Sequence, residues 1–120
     1  QQRWAEETAT GSANQLAALH RAIATGEFGP GADVARRQLE WQAPLPDTVG
    51  VGFKGGSLPG VLTEAFTVRR EDGSTATGIL LVRRMSATDW SGALTSFAHQ
   101  QLLLNAMTNP ATTTQLACTA

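Results

Sequence analysis

Apolar residues recur at helical spacing in the first third of the chain. Between residues 16 and 23 they fall three or four positions apart, which places them on one face of a helix. Ser12, with Gln15 three residues later, has the capping-box pattern of a helix start, and Gly26 suits the residue after a helix end. A shorter helix is predicted over residues 33–41.

The hydrophobic period then changes from helical to two. Val49, Val51 and Phe53 alternate with glycines and Lys54, which predicts a strand. Glycine along one face of a strand is typical of close approach by another backbone or a ligand. The sequence therefore predicts a strand with an unusually accessible face that ends in a lysine.

Two further strands are predicted over residues 63–70 and 75–84, after a turn at residues 57–60. Asp72 and Gly73 lie between them and form the dipeptide that favours a tight hairpin. The second strand is mostly apolar, which is typical of a central strand covered on both faces.

A last helix is predicted from Ser86, which has the capping pattern with Asp89, to about Met107. No Asp, Glu, Lys or Arg occurs from Trp90 to Ala120. A helix with so little charge is expected to be covered on more than one side. The Thr-, Ala- and Asn-rich tail over residues 108–120 is expected to need a partner to become ordered.

These elements predict an α+β fold, an antiparallel sheet of three strands flanked by helices. Residues 1–120 are interpreted as a single unit, because 120 residues suffice for one compact domain and no more. Its predicted parts are a helical segment over residues 8–41, strands over 47–84, a C-terminal helix over 86–107 and a tail over 108–120.

Composition excludes several classes of function. The net charge of −1 supplies no field that would hold a polyanion, so no nucleic-acid partner is expected. The apolar runs are too short to span a bilayer. His20 and His99 lie on separate predicted helices without other ligand-type residues nearby, so no metal and no cofactor are expected. Cys118 is the single cysteine and cannot form an intrachain disulfide.

Lys54 is the only lysine, because the other eight basic residues are all arginine. Lysine differs from arginine in being a compact point charge. A single ammonium group next to Gly55 and Gly56, on the glycine-rich strand, is therefore the candidate functional group. Codon bias with chance explains the same observation and stays open as an alternative.

The segment 49–60, which reads VGVGFKGGSLPG, resembles the Lys-[Thr/Ser]-Gly box of serine β-lactamases, D-Ala-D-Ala carboxypeptidases and related penicillin-binding proteins. Residues 8–28 resemble the helix that follows that family's omega-loop region, and residues 36–41 resemble the short helix before the box. The later strands and the last helix have the family's order. The resemblance covers essentially the whole chain and implies the C-terminal part of a β-lactamase/transpeptidase-like fold.

The resemblance also implies site residues. Lys54 would be the box lysine, which faces the nucleophile and stabilises negative charge. Gly55, Gly56 and Ser57 would contact the substrate, and the backbone N–H of Ser57 would donate to the oxyanion. Gly55 departs from the pattern, because the family has a hydroxyl there that binds the substrate carboxylate.

The family's nucleophile motif, Ser-x-x-Lys, is absent, because no serine precedes Lys54 by three residues and no other lysine exists. The first hypothesis is therefore a serine hydrolase fragment with an acyl-enzyme mechanism. Its partner would be the N-terminal part of the same enzyme, as a separate or cleaved chain. A small amide, ester or peptidoglycan-like substrate and an exported location, in the periplasm, cell envelope or medium, are implied by the resemblance.

Two other hypotheses remain open. The chain could be a non-catalytic binding module with the β-lactamase-like fold, which the loss of the hydroxyl at Gly55 favours. It could also be an unrelated small α+β interaction domain in which the glycine-rich strand has no catalytic role.

Overall fold

The computed structural model describes residues 10–119. In chain order, its elements are α1 (Ala13–Thr25), α2 (Ala32–Leu39), β1 (Thr48–Leu58), β2 (Val61–Arg70), β3 (Thr75–Arg83), α3 (Ala87–Ser96), α4 (Ala98–Thr108) and α5 (Pro110–Thr119). The strands form one antiparallel sheet in the order β1-β2-β3. The predicted α+β class with a three-stranded antiparallel sheet is confirmed.

The helix α1 begins with the predicted capping box. The Ser12 hydroxyl accepts a hydrogen bond from the Gln15 N–H, and the Gln15 side chain accepts one from the Ser12 N–H. The helix ends at Gly26, whose φ of 86° is the left-handed conformation that glycine adopts without strain. Both ends of α1 are thus fixed by residues that the sequence identifies.

Two tight turns join the three strands. Pro59 and Gly60 connect β1 to β2, so this turn is shorter than the predicted one at residues 57–60 and β1 continues to Leu58. Asp72 and Gly73 lie in the turn between β2 and β3, where Asp72 Oδ1 accepts a hydrogen bond from the Ser74 N–H.

The core lies between the sheet and α4. Val51, Phe66 and Val68 from the strands pack against Met107 of α4. Gly78 on β3 permits this approach, because a Cβ atom there would lie 2.8 Å from Leu103 Cδ1 and 3.0 Å from Met107 Sδ. The sheet and α4 therefore pack at a distance that a larger side chain at Gly78 would increase.

The opposite face of the sheet is covered by α1 and α2. Arg69 on β2 donates two hydrogen bonds of 2.7 Å to the carboxylate of Glu40, the residue that follows α2. A Cβ atom at Gly50 would lie 2.3 Å from Glu40 Oε2, so this glycine leaves room for the ion pair. The Arg69–Glu40 pair fixes α2 beside the strand that carries Lys54.

The predicted last helix is divided in the structure. Phe97, with a φ of 53°, interrupts it between α3 and α4, and the predicted tail forms α5 from residue 110. The Asn109 side chain accepts a hydrogen bond from the Ala111 N–H, which caps the first turn of α5. No helix among residues 10–119 is both long and apolar enough to cross a membrane.

His20, on the buried side of α1, makes stability depend on pH. Burial lowers the pKa of His20 below the ordinary imidazole value of about 6.5. The unfolded chain therefore binds more protons than the folded chain just below pH 6.5, and the free energy of unfolding falls as the pH falls through this window. Above this pH the contribution of the neutral imidazole is fully present.

We expect His20→Leu to reduce this dependence between pH 7 and pH 5, measured by urea denaturation at a series of pH values. The variant Arg21→Leu, at the exposed neighbouring position, serves as the control and should keep the wild-type slope. An unchanged slope in His20→Leu would assign the pH dependence to other groups.

Candidate functional site

An open cleft of about 550 Å³ runs along the β1 edge of the sheet, and we call it the β1 cleft. Its apolar lining residues are Leu39, Trp41, Phe53, Leu62, Leu94 and Phe97. Its polar lining residues are Gln38, Lys54, Ser57, Glu64, His99 and Gln100. Gly55 and Gly56 complete the wall along β1.

The residues predicted for the site all line this cleft. Lys54, Gly55, Gly56 and Ser57 are consecutive on β1, which is an edge strand of the sheet in the described part of the chain. Every second backbone N–H of an edge strand points away from its neighbour and is free to bind a ligand. The strand can thus present both side chains and backbone donors to an extended substrate.

Lys54 is exposed, and its ammonium group donates a hydrogen bond to the carbonyl oxygen of Gly55. It pairs with Ala65, whereas Gly55 pairs with Glu64. Because neighbouring side chains leave opposite faces of a strand, Lys54 and Glu64 project from opposite faces of the sheet. The cleft wraps around the β1 edge and includes both.

Ser57 is held by α3. Its hydroxyl accepts a hydrogen bond of 3.2 Å from the indole Nε1–H of Trp90, in the first turns of α3. α3 begins at the predicted cap, because the Ser86 hydroxyl accepts from the Asp89 N–H at 3.1 Å. The capping sequence therefore positions the tryptophan that orients Ser57.

Gly55 and Gly56 are both places where a side chain would be crowded. A Cβ atom at Gly55 would lie 2.8 Å from Phe53 Cζ and 3.2 Å from Glu64 Oε2. A Cβ atom at Gly56 would lie 2.7 Å from Thr63 Oγ1. The hydroxyl-bearing residue that the resemblance leads one to expect at Gly55 would displace Phe53 or Glu64.

A buried polar cluster lies on the other side of Gly55. Glu64 is 5% exposed, and its Oε1 accepts hydrogen bonds from Gln100 Nε2 at 3.1 Å and from His99 Nε2 at 3.0 Å when that nitrogen carries the proton. His99 and Gln100 belong to the first turn of α4. The cluster joins β2 to the start of α4 and forms one wall of the cleft.

The pattern of the sequence did not identify this cluster. The sequence predicts His99 on a helix without other ligand-type residues nearby and indicates no acidic residue for a site. One signal was present: Glu64 stands in the same alternating phase of β2 as Leu62, Phe66 and Val68, where an apolar residue is expected. A carboxylate in the buried phase of a strand indicates either a partner or a ligand.

The described residues contain no group of three or more His, Cys, Asp or Glu side chains that could hold a metal ion. What the site offers chemically is one exposed ammonium group, hydroxyl and backbone donors on an edge strand, and a buried carboxylate. Comparison with known proteins gave no matching family model, curated protein or solved structure.

Proposed function

We propose that this chain is the C-terminal part of a β-lactamase-like serine hydrolase that forms an acyl-enzyme with a small amide or ester substrate. The nucleophile would come from a complementary polypeptide that carries Ser-x-x-Lys, and the enzyme would act in the cell envelope or outside the cell. The observation that carries the proposal is the row Lys54–Gly55–Gly56–Ser57 on an edge strand that borders an open cleft.

Each residue of the row has a role in this chemistry. The ammonium of Lys54 would stabilise the negative charge that develops when the nucleophile attacks a carbonyl carbon. Gly56 would let the substrate lie close to the strand, and the Ser57 N–H would donate to the oxyanion. The Trp90 hydrogen bond would hold Ser57 in place during these steps.

The exposed edge of β3 supports the proposal, because a strand of the complement would pair with it. β3 is an edge strand of the sheet that residues 10–119 form, although its sequence is the apolar one expected of a central strand. Leu81 is 40% exposed there. An unpaired apolar edge is a template for pairing with another strand.

Exposed apolar residues on the helices support the same arrangement. Leu19, Phe28 and Val34 of the α1–α2 region and Trp41 beside the cleft are large apolar residues that face solvent. Together with the β3 edge they supply apolar surface that a complementary polypeptide would cover.

A non-catalytic binding module is the second candidate. The observation that favours it is that a side chain at Gly55 would be crowded by the Glu64 carboxylate, 3.2 Å from a Cβ atom there, so the hydroxyl of the resembled family does not fit without a shift. Such a chain would bind a ligand in the β1 cleft without forming a covalent intermediate.

The test begins with affinity-tagged chain expressed in its native cells, followed by sequencing of the polypeptide that co-purifies. Co-purified material is then treated with a fluorescent fluorophosphonate, which labels activated serines. We expect the label on a serine of the complement that has lysine three residues later, and no label on the 120-residue chain alone.

The other outcomes separate the alternatives. A complement with the fold-completing segment but no labelled serine would favour the binding module. A 120-residue chain that is monomeric, melts cooperatively and has no complement would refute the hydrolase and favour an unrelated interaction domain.

A further inference from the structure

The buried cluster of Glu64, His99 and Gln100 leaves part of its hydrogen-bonding capacity unused. Both protein donors, His99 Nε2 and Gln100 Nε2, bind the same carboxylate oxygen, Oε1. Glu64 Oε2 is buried and has no hydrogen-bond partner among residues 10–119. Leaving a buried carboxylate oxygen unpaired costs free energy, which a donor from a ligand would recover.

His99 presents a second unused atom. Its Nδ1 is likewise buried without a partner in the described part of the chain. When Nε2 carries the proton and donates to Glu64, Nδ1 carries a lone pair and is an acceptor. Because Nδ1 and Nε2 lie on different sides of the imidazole ring, Nδ1 faces away from Glu64, and Oε2 is the unpaired acceptor that lies beside Gly55.

Gly55 lies between the cluster and the cleft. A Cβ atom at this position would be 3.2 Å from the unpaired Oε2, so no side chain of Gly55 stands between that atom and the cleft. The tip of the partly buried Phe53 ring lies 2.8 Å from the same point. A ligand group therefore reaches Oε2 at Gly55 by displacing this ring tip.

The remainder of the cleft is apolar and aromatic. Phe97 is more than half exposed at its wall, and Leu94 lines it as well. Such walls suit an apolar ligand body, because aromatic surfaces are buried favourably against one another. The ammonium of Lys54 projects from the opposite face of the sheet, so it does not pair with Glu64.

We propose that Glu64 Oε2 forms a subsite at Gly55 for the primary ammonium group of an apolar or aromatic amine. An ammonium group has three donors and a positive charge, which matches an unpaired carboxylate oxygen. A carboxylate-bearing ligand is disfavoured here, because it would place a second negative charge against Glu64.

If the ligand is the substrate of the hydrolase, that substrate is an amide or ester with a nearby ammonium group, and this part of the inference rests on the proposed function. Amine binding itself does not rest on the proposed function, because it needs no nucleophile. It is therefore measured on the 120-residue chain without its complement, where failure of the hydrolase chemistry has no effect on the result.

The experiment titrates ¹⁵N-labelled chain with benzylamine, benzyl alcohol or benzoate and follows the Gly55 amide and the Gln100 side-chain amide by NMR. We expect benzylamine to cause chemical-shift changes that saturate. Benzyl alcohol and benzoate should bind with an apparent affinity at least tenfold weaker. That ratio is what one charge-assisted hydrogen bond supplies, roughly tenfold or more.

Two variants locate the interaction. Glu64→Gln keeps an acceptor for His99 but removes the charge, and Gly55→Ala keeps the charge but places a methyl group between ligand and Oε2. Both should weaken benzylamine binding at least tenfold, whereas Glu71→Gln, the same change in the exposed β2–β3 turn, should not.

Equal affinity for benzylamine and benzyl alcohol would overturn the inference, as would full benzylamine affinity in folded Glu64→Gln. Absence of any shift up to the solubility limit would overturn it as well. If Glu64→Gln does not fold, the comparison of the three probes on the wild-type chain still decides the matter.

Discussion

Lys54→Ala is expected to slow acylation of the complemented enzyme by p-nitrophenyl acetate about 100-fold, a loss of roughly 2.7 kcal/mol of transition-state stabilisation. Lys54 lines the cleft, and its proposed role is to stabilise developing negative charge there. In the proposed mechanism, the nucleophile adds to the carbonyl carbon and the carbonyl oxygen becomes negative. A preorganised cation is most valuable at that step, because the charge it stabilises is absent from the ground state.

The measurement is the pre-steady-state burst of p-nitrophenolate, which reports formation of the acyl-enzyme. The matched control is Arg21→Ala, which removes an exposed cation of α1 and should leave the burst rate within about twofold of wild type. A wild-type burst rate in Lys54→Ala would remove Lys54 from the mechanism. Loss of the burst in Arg21→Ala as well would point to net charge or assembly instead of the site.

The local signals in the sequence predicted the fold because each depends on a few neighbouring residues. The Ser12–Gln15 capping box, Gly26 and the Asp72-Gly73 turn all have their predicted roles, since cap and turn geometry is decided by the residues that form it. The period of two over β1 and β2 likewise follows from which side chains are buried. These elements are enough to predict an α+β fold in which helices flank an antiparallel sheet.

The division of the last helix depends on contacts that are distant in sequence. Phe97 is neither glycine nor proline, so no local signal predicts its left-handed conformation. The break lets α4 begin beside β2, where His99 and Gln100 bind Glu64 more than thirty residues away in sequence. The same break therefore accounts for why the sequence predicted one helix and why it missed the buried cluster.

The residues of the candidate site also differ in how far the sequence alone identifies them. Lys54 is unique in composition and stands in a glycine-rich strand, so its position in the cleft was predictable from the chain alone. Glu64 acquires its importance from Gly55, its cross-strand neighbour in the register of β1 and β2. That register becomes known only when the strands are paired, although the glutamate stands out in an apolar phase.

Leu62→Ala is expected to lower the free energy of unfolding by about 3 kcal/mol, within the range measured for buried leucines. Leu62 is 2% exposed near the start of β2, the central strand, where it pairs with Ser57 of β1 and Val82 of β3. Its removal leaves a cavity between two hydrogen-bonded neighbours that cannot close without breaking the sheet. The measurement is urea denaturation of the full chain, with the slope of the transition checked for constancy.

Leu102→Ala is the matched control, because it deletes the same atoms from α4 at a position that is 45% exposed. It should cost less than about 1 kcal/mol, since much of that side chain is in water in the folded chain. Equal losses in the two variants would contradict the packing of β2 at the centre of the sheet. Leu62 also lines the cleft next to Glu64. A lower free energy of unfolding in Leu62→Ala, but not in Leu102→Ala, would show that the same strand supports the wall of the candidate site and the hydrophobic core.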